Sequence, residues 1–180
     1  MTTQVDNKPG LIFVVKWIAA FVIASIVSSL LMLAIMFVAQ YIQISALLAV
    51  LLMALVMGAA LGAGQGFIMM PYLDRSELWI GLTALGYAIG FIVPSLLKLD
   101  PLLRYVSIGL ALGLLQWLIL RQHVEASGWW IAVNLACWLV AGLFDQGALL
   151  YSPVSGLVMM WLLNHPKQSV QVTPAVAQVN

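Results

Sequence analysis

Long apolar stretches broken by brief polar interruptions set the rhythm of this chain. From Trp17 to Leu73 there are 57 residues without a charged side chain. A membrane-spanning helix needs roughly 20 apolar residues, so the run holds two crossings with a turn between them. Its only polar interruption, Gln40-Tyr41-Ile42-Gln43-Ile44-Ser45, supplies the turn. This pattern predicts a first helix at about 11–40 and a second at about 45–70, closed by Pro71. Asp74 and Glu77 are positioned to cap a third at about 77–97, with Pro94 as a candidate kink. Asp100-Pro101 sets an acceptor side chain before a ring of fixed φ, the start of a fourth helix ending near Arg121. Ser127 opens a fifth, to about Phe144, and Asp145-Gln146-Gly147 turns into a short sixth that contains Pro153 and ends near Asn164. The expected organisation is a cytoplasmic N-terminal segment at 1–10, a transmembrane domain at 11–164 and a flexible cytoplasmic tail at 165–180.

Composition turns helices into membrane helices. Hydrophobic residues make up 64% of the chain and Asp, Glu, Lys and Arg 7%, against about 25% charged residues in soluble domains. The first apolar segment far exceeds the 7–15 residues of a signal-peptide core and lacks a small-residue cleavage pattern, so it is expected to remain as a helix. Six crossings put both termini on one side. That side then holds Lys8, Lys16, Arg75, Arg121 and Lys167, the other only Lys98 and Arg104, and the positive-inside rule makes the richer side cytoplasmic. The expected location is a bacterial inner membrane, with lipid as the surrounding partner.

An internal repeat organises the small and polar residues. GAALGAGQGF at 58–67 is matched without a gap by GLALGLLQWL at 109–118, a shift of 51. Gly58 answers to Gly109, Gly62 to Gly113 and Gln65 to Gln116; the register continues through Trp79 and Trp130, and through Thr83 and Asn134. Read as a ring, the chain offers a weaker third copy, in which Trp17-Ile18-Ala19 opens the first helix as Trp79-Ile80-Gly81 and Trp130-Ile131-Ala132 open the third and fifth. Small residues follow each tryptophan, at Ala24 and Ser28, Gly86 and Gly90, and Cys137 and Ala141. The even helices carry Gly58 and Gly62, Gly109 and Gly113, and Ser152 and Gly156. Small residues four apart let helix backbones approach in lipid, so Gly58, Gly62, Gly86, Gly90, Gly109, Gly113 and Gly156 are the expected packing positions. The fold expected is therefore an all-α, polytopic six-helix transmembrane bundle built from related helical hairpins.

Gln65 lies on the same helical face as its two glycines, pointing where the neighbouring helix comes closest. Gln65 and Gln116 fall about 8 Å inside the cytoplasmic ends of their helices, and Thr83 and Asn134 at similar depth. Two readings follow. The amides hold helices together, at about 0.6 kcal/mol per contact, or the four side chains line a pocket for a small polar or amphipathic ligand. Trp17, Trp79 and Trp130, at helix starts, read as interfacial anchors.

Several chemistries find no support. No ionisable side chain lies in a predicted helix core, which disfavours a proton-coupled pump. Ser155 has no histidine in its membrane region, and His123 and His165 lack the partners of a metal site. Cys137 is single and cannot form an internal disulfide. With no phosphate-binding loop or zinc motif, neither an enzyme, nor a cofactor, nor nucleic acid is expected.

The paired GxxxGxxQ stretches, the second continuing as Gln116-Trp117-Leu118-Ile119-Leu120-Arg121, look like the repeated signature of uncharacterised bacterial multipass membrane proteins. The likeness covers about 58–144 and implies no activity. The first copy departs from it, with Gly66 against Trp117 and Met70 against Arg121. Size and helix number are also similar to the substrate-binding subunits of energy-coupling vitamin transporters, without their motifs. These features together lead to the expectation of a non-enzymatic structural or accessory subunit of a membrane complex. The alternative is a small-molecule binding or transport protein using the polar layer.

Overall fold

A computed structural model describes residues 8–144 and 148–167. Among the described residues six helices follow one another: α1 (Leu11–Ile42), α2 (Ala46–Met69), α3 (Glu77–Leu96), α4 (Pro101–His123), α5 (Gly128–Leu143) and α6 (Ala148–Leu163). Their ends have local causes. The Ser45 hydroxyl accepts from the Leu48 N–H at 3.3 Å, and the Asp100 carboxylate accepts from the Leu103 N–H at 3.0 Å with Pro101 opening α4. α1 stops at Gln43, whose φ of 53° is left-handed. α3 begins differently from expectation, since its N-cap is Ser76 with no side-chain hydrogen bond, while Glu77 supplies a negative charge in the first turn.

Helices α1 to α4 are long and apolar enough to cross a membrane. The chain is an integral membrane protein. α5 and α6 are shorter than the other four. Each has 16 residues, about 24 Å of helix, short of a hydrocarbon core about 30 Å thick.

Each helix packs its backbone on its neighbours in the chain, and α6 returns to pack on α1; among the described residues other helix pairs meet only through side chains reaching across the centre. The bundle is a closed ring of six. Close approach at glycine makes the seams. A methyl group on Gly58 would lie 2.6 Å from Ala84 Cα, and one on Gly62 2.9 Å from Ile80 Cα, so α2 and α3 meet backbone to backbone. On α4, Gly109 would meet Leu135 Cα at 3.1 Å and Gly113 would meet Ile131 Cα at 2.9 Å, partners displaced by the same 51 positions as the glycines. Gly86 and Gly90 of α3 face Leu112 and Ile108 of α4, at 3.2 and 2.6 Å from their Cα atoms. Gly156 is different, since its neighbour is the Trp17 indole, 2.9 Å from Cδ1.

The tail expected to be loose from His165 is tied down at its start. Glu125 N–H donates to the His165 carbonyl at 3.2 Å, Lys167 N–H donates to the His123 carbonyl at 2.9 Å, and Asn164 Nδ2 reaches the Pro9 carbonyl at 3.0 Å. These bonds fasten the end of α6 to both the entry of α1 and the α4–α5 loop. The tail beyond Lys167 and the turn at 145–147 lie outside the described residues.

Candidate functional site

The start of each odd helix and the end of each even helix meet at one end of the ring, around a cluster that includes Phe13, Trp17, Met69, Trp79, Leu120, Trp130 and Met159. The three tryptophans are 0% exposed. The Trp79 and Trp130 rings lie 5.8 Å apart, and Trp17 meets Trp130 edge-on at 6.3 Å. The expectation that they anchor the protein at the headgroups is therefore corrected: an interfacial indole needs one side against lipid or water, and these are enclosed by protein.

Their N–H groups explain why they point inward. Trp79 Nε1 donates to Gln65 Oε1 at 3.0 Å, and Trp130 Nε1 donates to Gln116 Oε1 at 2.8 Å. A buried indole N–H needs an acceptor, and a glutamine one turn beyond the glycine seam supplies it. Each pair is 14 residues apart and separated by 51 from the other. The third tryptophan solves the problem otherwise. The position that would match Gln65 on α6 is Met159, and Trp17 Nε1 donates instead to the Ser155 hydroxyl at 3.1 Å, one helical turn earlier.

Thr83 and Asn134 extend the layer. Thr83 Oγ1 donates to the Trp79 carbonyl at 2.6 Å and accepts from Gln116 Nε2 at 2.9 Å. Asn134 Nδ2 donates to the Trp130 carbonyl at 2.9 Å, and Asn134 Oδ1 accepts from the Tyr151 hydroxyl at 3.0 Å. Gln65, Thr83, Gln116 and Asn134 are each at most 2% exposed; Gln65 and Gln116 accept from indoles, Gln116 also bonds Thr83, and Thr83 and Asn134 bond backbone carbonyls, Asn134 with the Tyr151 hydroxyl besides. Among the described residues these side chains form a packed, buried network.

Other polar groups have local roles. Trp117 Nε1 donates to the Ser127 hydroxyl at 3.1 Å, while the Arg121 guanidinium lies 5.1 Å from the Trp117 ring centre, so the arginine present only in the second copy stacks on the tryptophan also present only there. Buried Trp138 Nε1 and Ser152 Oγ have no hydrogen-bond partner among the described residues. His123 and His165 each contact a carbonyl of the preceding helical turn, and no metal-binding cluster of His, Cys, Asp and Glu occurs among the described residues.

Sequence reasoning missed the Trp–Gln pairing, the Trp17–Ser155 bond and Tyr151. A signal for the first was present in the recurring 14-residue spacing from glutamine to tryptophan. Comparison with known proteins finds no matching family model, no matching curated protein and no matching solved structure.

Proposed function

We propose that this protein is a non-enzymatic structural or accessory subunit of a bacterial membrane complex, assembled from related helical hairpins. The observation that carries the reading is the filled centre of the ring. Three indoles occupy it, and the amides that could have bound a substrate or lined a polar route hydrogen-bond to them. A transporter working through that layer would have to break several buried hydrogen bonds at each cycle.

The hairpin repeat is supported by contacts that obey the same 51-residue shift as the sequence, at Gly58 and Gly109, Gly62 and Gly113, and in the two Trp–Gln pairs. A role beside other proteins is supported by α1, whose apolar side chains Ile12, Leu30, Leu33 and Phe37 are left exposed by the rest of this chain. The five-to-two distribution of basic residues supports an orientation with both termini in the cytoplasm, and with it an inner-membrane location. That orientation holds whether the α5–α6 hairpin crosses fully or turns back within the bilayer, because either path returns the chain to its starting side.

Mild extraction from native membranes followed by native mass spectrometry tests the proposal. A defined complex of this chain with another membrane protein is expected. Recovery as a free monomer at native expression levels would overturn it.

A further inference from the structure

Among the described residues α5 and α6 are shorter than the other four helices and leave the far end of the ring to α1–α4. Phe91 lies 12 residues beyond Trp79, and the equivalent point on α5, Gly142, is next to the helix end. At that level the ring encloses a cavity of about 160 Å³ between α1, α2, α3 and α4 alone, lined by Met32, Met53, Met57, Phe91, Ser95 and Arg104 among others. Its walls are adaptable. Methionine thioethers are flexible and polarizable, and Phe91 is backed by Tyr87, with ring centres 6.3 Å apart.

The one charged group on this cavity is Arg104. Its guanidinium has no ion-pair or hydrogen-bond partner among the described residues. The described carboxylate at this end, Asp100, caps α4 through its bond to the Leu103 N–H. A guanidinium forms its strongest contacts with carboxylate or phosphate, often in a two-pronged geometry. An apolar cavity of about 150 Å³ holds a body the size of benzene, so there is room for one short alkyl chain or one ring, and not for more.

We infer that this cavity binds a compact anionic amphiphile, with a carboxylate or phosphate on Arg104 and a short apolar group among the methionines. The source is either a free organic acid or the phosphate and first methylenes of an anionic membrane lipid. This inference is independent of the proposed subunit role, because the cavity lies apart from the Trp–Gln layer and is read out by a ligand instead of a partner protein.

The test uses the full chain, delipidated in a detergent with an uncharged headgroup. Hexanoate, neutral hexanol, phosphatidylglycerol and phosphatidylcholine are the probes; thermal shift reads the soluble pair, native mass spectrometry the lipids. Hexanoate or phosphatidylglycerol should bind at least about tenfold more tightly than its uncharged or zwitterionic counterpart, and whichever does so identifies the source. Arg104→Gln should remove that preference and Arg104→Lys retain part of it. Met53→Phe, which fills the cavity and leaves the charge, should abolish hexanoate binding or strip the lipid preference. Absence of a charge preference for both pairs would overturn the inference, as would a preference that survives Arg104→Gln or is unaffected by Met53→Phe.

Discussion

Replacing Gln116 by leucine keeps the volume of the side chain and removes its chemistry. In the folded protein Gln116 accepts from Trp130 Nε1 at 2.8 Å and donates to Thr83 Oγ1 at 2.9 Å, and it is 0% exposed. The leucine leaves the Trp130 N–H buried with no acceptor, a cost of about 1–3 kcal/mol. Loss of the Thr83 contact adds about 0.6 kcal/mol on the scale of interhelical bonds in membranes. Thr83 keeps its own bond to the Trp79 carbonyl, so no second group is orphaned. Destabilisation of about 2–4 kcal/mol is expected. The sharper quantity is the coupling with Trp130→Phe, which removes the N–H itself. Each single substitution strands one buried polar group of the Trp–Gln pair, whereas the double variant strands neither. Reversible unfolding in mixed micelles of detergent and SDS should therefore give a double variant at least about 1 kcal/mol more stable than the sum of the singles predicts. Additivity within about 0.5 kcal/mol would refute the reasoning, because it would mean that the two side chains do not depend on each other.

Other expectations concern the seams and the orientation. Gly62→Leu and Gly113→Leu should each lower the melting temperature in detergent, by overpacking worth roughly 1–3 kcal/mol or more, whereas Gly81→Ala, where an added methyl group meets nothing within 4 Å, should be neutral or stabilising by up to about 1 kcal/mol. A normal melt for Gly62→Leu would remove the close-packing account. Ser152→Ala deletes a buried hydroxyl with no hydrogen-bond partner among the described residues, and thermal denaturation should find the variant at least as stable as the parent. Reporter fusions after residue 180 and near Asp100 should report opposite sides of the membrane, and a shared side would discard the proposed orientation.

The helix boundaries were legible because polar interruptions in so apolar a chain are few and chemically distinct. Ser45 and Asp100-Pro101 mark starts through hydrogen bonds that the structure contains. The layer of Gln65, Thr83, Gln116 and Asn134 was legible from depth and repeat register, since residues at matching distances from helix ends fall at one level. The direction of the tryptophans was not. An indole is amphipathic, and at a helix start the same residue suits a headgroup or a buried acceptor; only knowledge of which helix stands opposite decides between them. The third sector was also obscured, because its acceptor is a serine one turn away from the place the repeat indicates, with Met159 at that place. The cavity at Arg104 could not be read at all from local sequence. It arises from the shortness of α5 and α6 relative to the other four helices, a difference in length whose consequence is three-dimensional.

Three indoles turn inward to acceptors on the neighbouring helix, and hydrogen exchange of the tryptophan side chains measures that directly. With the indole nitrogens labelled and assigned, the N–H signals of Trp17, Trp79 and Trp130 should persist after transfer to deuterated buffer. Those of Trp129 and Trp161, 61% and 42% exposed, should fade first. Gln116→Leu should speed exchange at Trp130 more than at Trp17. Exchange of Trp17, Trp79 and Trp130 as fast as that of Trp129 would contradict the account and return these residues to the membrane interface.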